Sequence, residues 1–166
     1  MKFQFRPALK SDKNIILEWL EQDYIQEWLF GEGLENTIRD LENSLAGESS
    51  YFQHWLALEN KTPVAYLMTS SISKHSDDMR VWSQTKGRVI TLDIFIGNRD
   101  YLGKGFAHLV IQEFLHDRFP EIDEVLIDPE VSNKKAVHVY QKAGFKVLGT
   151  HIPDWNPKPH YMMSLT

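Results

Sequence analysis

The residues best suited to chemistry lie in one stretch, residues 97–107 (G-N-R-D-Y-L-G-K-G-F-A), and in the hydrophobic run that leads into it, residues 89–96. A buried strand that ends in a glycine-rich turn and opens into a helix leaves backbone N–H groups unpaired and converging. The helix macrodipole favours negative charge at the same place. Gly103, Lys104, Gly105, Phe106 and Ala107 therefore outline a phosphate cradle. Upstream, alternation sets Ile90, Leu92, Ile94 and Ile96 on one strand face and Val89, Thr91, Asp93 and Phe95 on the other. Asp93 is then a carboxylate among apolar neighbours, with a pKa free to rise toward that of a general base. The other reading is a strand aspartate satisfied by a neighbouring loop. Two segments mix aromatic and acidic residues in a way that suits a cationic ligand. One holds Tyr24, Trp28 and Phe30 among Asp23, Glu27 and Glu32; the other, within residues 70–86, holds His75, Asp77, Asp78, Arg80 and Trp82. The first also reads as a helix–turn corner whose aromatics cover the core. Asp128, at a strand end beside Pro129, suits an amine of a ligand or serves as an ordinary turn carboxylate. The chain has no cysteine, and its seven histidines form no H-x-x-x-H or comparable cluster. No disulfide, cysteine nucleophile or catalytic metal is expected.

These residues need a scaffold, and the sequence supplies its elements in order. Residues 2–6 alternate as a short strand that stops at Pro7, and Ser11 or Asp12 is placed to cap a helix with Ile15, Ile16, Trp19 and Leu20 on its core face. A break over residues 22–33 precedes a helix over residues 37–45. Residues 51–58 and 64–69 read as a hairpin with a loop of about five residues, and residues 70–86 as a polar excursion. After the glycines, Phe106, Ala107, Val110, Ile111, Phe114 and Leu115 form the apolar stripe of a helix. A strand over residues 124–128 follows, then a helix capped by Ser132 or Asn133, with Ala136, Val139, Tyr140 and Ala143 on its apolar side. Gly144 stops that helix, and strands over residues 145–150 and 160–165 close the chain. With 166 residues and 42% hydrophobic content, one core and one domain over residues 1–166 are expected. The formal charge of −5 argues against nucleic acid and suits a cationic small molecule, although mild acidity also serves solubility. Residues 1–6 lack an apolar leader pattern, and no apolar run approaches the roughly 20 residues of a membrane span. A cytoplasmic, soluble protein without a membrane partner is expected.

The glycine turn is neither a dinucleotide fingerprint nor a Walker loop, since it lacks G-x-G-x-x-G and G-K-[ST]. The segment L-G-K-G-F-A at residues 102–107 instead resembles the acyl-CoA pyrophosphate loop, [QR]-x-x-G-x-[GA], of the GCN5-related N-acetyltransferase (GNAT) superfamily. Leu102 stands where that family usually has Arg or Gln. The segment S-N-K-K-A-V-H-V-Y-Q-K-A-G-F at residues 132–145 resembles the family's second motif. Together with L-D-I-F-I-G-N, a closing H-Y-M, and E-W-L and W-L-F-G-E near the front, the pattern is similar to the aminoglycoside 6′-N-acetyltransferases over nearly the whole chain. It grades into the hydroxylamine acyltransferases of siderophore biosynthesis, in which a histidine-bearing strand is expected where this chain has Asp93.

The resemblance implies an α/β (α+β) GNAT fold: a central, mixed, mostly antiparallel sheet of about seven strands, with helices on both faces, splayed at the acyl-CoA-binding strand. It implies acetyl-CoA as cosubstrate, no metal, and a small-molecule amine acceptor for a monomer or homodimer. An amine attacks a thioester only as the free base, so Asp93 takes or relays the ammonium proton, while backbone groups of Ile94, Phe95 and Ile96 stabilise the oxyanion and hold the acyl-CoA. Tyr140 resembles the tyrosine that protonates the departing CoA thiolate and also belongs to its helix's apolar stripe. Asn133, with Ala136, resembles the pantetheine-binding start of that helix, and Asn133 also reads as a plain cap. Tyr161 matches a site tyrosine, with His160 on the opposite face. Trp28, Asp77, Asp78, Trp82, Asp93, Asp128 and Tyr161 are the expected acceptor contacts. The expected activity is N-acetylation of a primary amine on a small polycationic acceptor. Hydroxylamine acylation, peptide or protein N-acetylation, and a CoA-binding module without turnover are the alternatives.

Overall fold

The structure, a computed structural model, describes residues 2–74 and 77–166. In chain order its elements are β1 (Gln4–Pro7), α1 (Lys13–Leu20), α2 (Asp23–Gln26), α3 (Gly31–Leu45), β2 (Gln53–Glu59), β3 (Thr62–Ser71), α4 (Asp77–Arg80), β4 (Val89–Ile96), α5 (Ala107–Arg118), β5 (Glu124–Ile127), α6 (Lys134–Lys142), β6 (Lys146–His151) and β7 (His160–Leu165). Seven strands form one sheet in the order β1-β2-β3-β4-β5-β7-β6. The β1–β2, β2–β3, β5–β7 and β6–β7 pairs are antiparallel and β4–β5 is parallel, which gives the mixed, mostly antiparallel sheet that was expected. The β4–β5 ladder runs only from Val89↔Glu124 to Thr91↔Leu126. Beyond it β4 continues to Ile96 without a ladder to β5, which ends at Ile127. The fold divides into two compact units, Met1–Thr69 with Asp93–Phe106, and Ser70–Leu92 with Ala107–Thr166.

In the first unit the predicted stripe of α1 is largely realised. Ile16, Trp19 and Leu20 are buried with Ile25, Leu41, Leu56, Tyr66 and Met68, and Ile15 packs partly buried against them. Asp12 departs from its expected role: its carboxylate turns back to accept the Leu9 amide at 2.7 Å and to pair with Arg6 at 2.6 Å, closing the 3-10 turn before α1 and not capping α1 itself. The break expected over residues 22–33 is shorter than expected, because α2 forms inside it and α3 begins at Gly31. Leu34 and Ile38 pack on the core, and that burial extends the helix over glycines that alone would end it. The hairpin also corrects the sequence reading. Its turn is two residues, not five, because Asn60 and Lys61 both take left-handed backbone angles (φ 47 and 69) that let Glu59 pair with Thr62. A bulge past Ala57 leaves the Val64 carbonyl free to accept the amides of Gly97 (3.2 Å) and Asn98 (3.1 Å), which fastens the end of β4.

In the second unit α5 buries Val110, Ile111, Phe114 and Leu115, as its periodicity predicts, and all four residues of β5 are buried. Residues 70–86 are not the open polar excursion that was expected. They contain a 3-10 turn, the short helix α4, and a firm anchor: the fully buried Glu124 accepts from Ser83 Oγ at 2.9 Å, from the Gln84 amide at 2.8 Å, and from Ser164 Oγ. A buried carboxylate so bonded pins the segment without help from composition. Trp82 lies close enough to Gly149 that an added Cβ there would meet its ring at 2.9 Å. Gly144, at φ +108, ends α6 as expected.

Candidate active site

In the first unit the candidate residues are carried by one continuous stretch. Asp93 opens the part of β4 that extends past the β4–β5 ladder. Its carboxyl retains some solvent access, is densely surrounded by protein, and makes no hydrogen bond or ion pair among the described residues. Desolvation raises its pKa to about 6. Phe95 shares its strand face and stacks on the wholly buried Tyr66, ring centroids 6.3 Å apart. Tyr66 Oη lies 2.6 Å from His54 Nδ1, and His54 Nε2 lies 2.7 Å from Asp40, whose carboxylate also accepts the amides of Tyr51 and Phe52. Burial, then the charges of Asp40 and Asp93, push the Tyr66 phenol well above its ordinary pKa. Burial outweighs Asp40 and lowers His54, so the imidazole is neutral near pH 7. Sequence reading missed this buried chain of Asp40, His54 and Tyr66, because its members lie in a helix and two strands and touch only when those pack.

The glycine turn fits its predicted use. Gly103 (φ 69) and Gly105 (φ 76) are left-handed, and a Cβ on either would meet nothing within 4 Å. Residues 102–105 form a turn, and α5 begins at Ala107 directly after Phe106. An open glycine backbone and a helix start suit a pyrophosphate. Leu102 is half-buried and supplies no donor from its side chain. Trp28 and Phe30 are 37% and 60% exposed, so neither covers the core, whereas Tyr24 packs against it.

In the second unit Asn133 caps α6 by accepting the Ala136 amide at 3.2 Å, which realises the cap reading of that residue. Tyr140 is buried on α6 with its ring 6.0 Å from that of Phe145. Asp128 is half-buried, and the next residue, Pro129, accepts the Tyr161 amide at 2.9 Å, which sets Asp128 and Tyr161 in neighbouring strands' ends. Tyr161 is half-buried, while His160 is buried with Nδ1 2.9 Å from the Lys158 carbonyl, in keeping with opposite faces. Trp82 stands against His151, ring centroids 6.0 Å apart. His75 lies outside the described residues, as do the side chains of Asp77 and Asp78. Among the described residues no group of three or more acidic or histidine side chains is placed to hold a metal, and no helix is long and apolar enough to cross a membrane.

Residues 8–152 match the family described as an acetyltransferase (GNAT) domain. The chain belongs to the GNAT acetyltransferases. It is thus an N-acetyltransferase with acetyl-CoA as cosubstrate. This GNAT chain is 31% identical over 152 residues to the aminoglycoside N(6′)-acetyltransferase type 1 of Klebsiella pneumoniae, covering 87% of this chain and 74% of the relative. It is also similar to the crystal structure of an aminoglycoside N(6′)-acetyltransferase from Legionella pneumophila, with 43% identity, a TM-score of 0.89, and coverage of 99% of this chain and 93% of that one. A structure of AAC(6′)-Ib with ribostamycin and coenzyme A is similar at 25% identity and a TM-score of 0.81, over 100% of this chain and 94% of that one.

Proposed function

We propose that the chain, acting as a single catalytic domain, transfers the acetyl group of acetyl-CoA to the 6′-amino group of an aminoglycoside. The observation that carries the reading is Asp93, a carboxyl with no hydrogen-bond or ion-pair partner among the described residues, raised to about pKa 6, on the part of β4 that outruns its ladder with β5. An unpaired, desolvated carboxylate binds an ammonium group strongly and is basic enough to draw off its proton near neutral pH. The relatives are named for aminoglycosides, one neighbour being solved with ribostamycin, and the chain's net charge of −5 favours a cationic acceptor of that kind.

Each residue has a part in this reading. The glycine turn of residues 103–106 and the start of α5 receive the pyrophosphate, and peptide groups of Ile94 and Ile96, with Asn133 and Ala136, hold the pantetheine side. Acetyl-CoA supplies an activated acyl group. Asp93 orients the acceptor amine and takes its proton, and Tyr140 gives a proton to the leaving sulfur, which balances the transfer. Trp28, Trp82, Asp128 and Tyr161 are of the types that bind an aminoglycoside's sugar rings and remaining ammonium groups, as are Asp77 and Asp78, whose side chains lie outside the described residues.

An acceptor screen with acetyl-CoA and thiol detection tests the proposal. Thiol release is expected with aminoglycosides that carry a 6′-amino group and not with 6′-hydroxyl analogues. Turnover with polyamines, hydroxylamines or peptides in their place would overturn the acceptor assignment.

A further inference from the structure

The end of β4 is gripped by two side chains that the proposed reaction leaves unused. Tyr24 Oη donates to the Ile96 carbonyl at 2.7 Å and lies 3.2 Å from the Gly97 carbonyl, and Gln22 Nε2 donates to the Gly97 carbonyl at 2.9 Å and to Tyr24 Oη at 3.1 Å. Both residues come from the junction of α1 and α2. That junction can approach so closely only because residue 97 is glycine: a Cβ there would stand 1.9 Å from the Trp19 ring. The Arg99 guanidinium, 5.3 Å from the centre of the Tyr24 ring, steadies the phenol from its other side.

The direction of these bonds matters. The Gly97 amide donates to Val64 on β3, and the 96–97 peptide is trans, so its Ile96 carbonyl points away from β3. By the alternation of a strand, Ile94 presents both its N–H and its C=O to that same outer edge, whereas Asp93 and Phe95 present theirs to β3. Past Thr91 the outer edge has no ladder partner. What it offers an extended, amide-bearing ligand is the pair of groups on Ile94 and the N–H of Ile96. The next group, the Ile96 carbonyl, is already taken by Tyr24.

We propose that Tyr24 and Gln22 form a positioning pair that ends the open edge of β4 at Ile96 and so sets the register in which the amides of the pantetheine arm pair with the strand. This rests on the acetyl-CoA-dependent reading above. By fixing the 96–97 peptide, which meets the peptide bearing the Ile96 N–H at the Ile96 Cα, the pair limits how far that N–H can turn before the ligand arrives, so less of that edge's ordering is charged against binding. Neither residue touches the reacting atoms.

The test is calorimetry with CoA on the full chain, alongside thermal melting and steady-state kinetics. Tyr24→Phe keeps the ring and its packing and removes only the hydroxyl. Its CoA Kd is expected to rise roughly fivefold, the worth of one intramolecular hydrogen bond. The acetyl-CoA KM should rise with it by more than kcat falls. Gln22→Leu, which leaves the phenol in place, is expected to shift Kd the same way by less, and it carries the test if Tyr24→Phe does not fold. Folded variants that melt lower but bind CoA as the wild type does would reduce the pair to a structural latch and overturn the proposal. Wild-type protein that binds no CoA would overturn the enzymatic reading itself, a separate result.

Discussion

Asp93→Asn separates what the site costs the fold from what it gives the reaction. Burial raises the carboxyl from 3.8 to about 6. Between those values the native chain holds a proton that the unfolded chain has released. Stability therefore falls as pH rises through this window and levels off above about 6. At about 1.36 kcal/mol per unit, the ionised carboxylate costs the folded state up to about 3 kcal/mol at neutral pH. Asparagine has the same shape and no charge to desolvate, so the variant should be more stable than wild type above pH 6 and nearly equal to it at pH 4. For a domain of this size the gain corresponds to a Tm increase of roughly 5–10 °C at pH 7.5. The same variant should lose most of its kcat, and the acid limb of the wild-type kcat/KM profile, with its midpoint near the carboxyl's pKa, should disappear. CoA affinity should hold, since the carboxylate serves the amine. The measurements are melting curves from pH 4 to 8, thiol-release kinetics over the same range, and calorimetry with CoA. A Tm difference that does not change with pH, or a variant less stable than wild type at pH 7.5, would refute the claim that Asp93 is an uncompensated, desolvated charge.

Gly105→Leu places a side chain where the backbone is open and left-handed (φ 76), so it should cost about 1–2 kcal/mol of stability and weaken CoA binding at least tenfold by calorimetry. Unchanged affinity would count against the cradle. Tyr140→Phe keeps the buried ring and should lower kcat about 10- to 100-fold with little change in CoA Kd; unchanged kcat would return Tyr140 to packing alone. Gly97→Ala must displace either the Trp19 ring or the strand end, so a clear loss of Tm by calorimetric melting is expected, and a neutral result would show that the junction of α1 and α2 yields easily.

Some of this was legible in the residues themselves. Alternation named the faces of β4 and isolated Asp93, the glycines marked a turn into α5, and helical spacing picked the buried side of α5 and the cap of α6. These are local signals, written within a few residues of chain, and local backbone and burial preferences suffice to read them. Where tertiary forces compete, the local reading failed. Asn60 and Lys61 are not turn residues that announce a two-residue hairpin, and Gly31 and Gly33 do not announce a helix; pairing of β2 with β3 and burial of Leu34 decided both. Sequence by itself determined the chemical cast: a carboxylate on an apolar strand, a glycine turn for an anion, and a tyrosine and an asparagine on one late helix. Only the tertiary structure decided that Asp93 is desolvated and has no partner among the described residues, that Glu124 is spent on anchoring residues 83–84, and that Tyr24 and Gln22 hold the end of β4. A carboxylate's partner and pKa depend on groups dozens of residues away, and those distances exist only once the chain has folded.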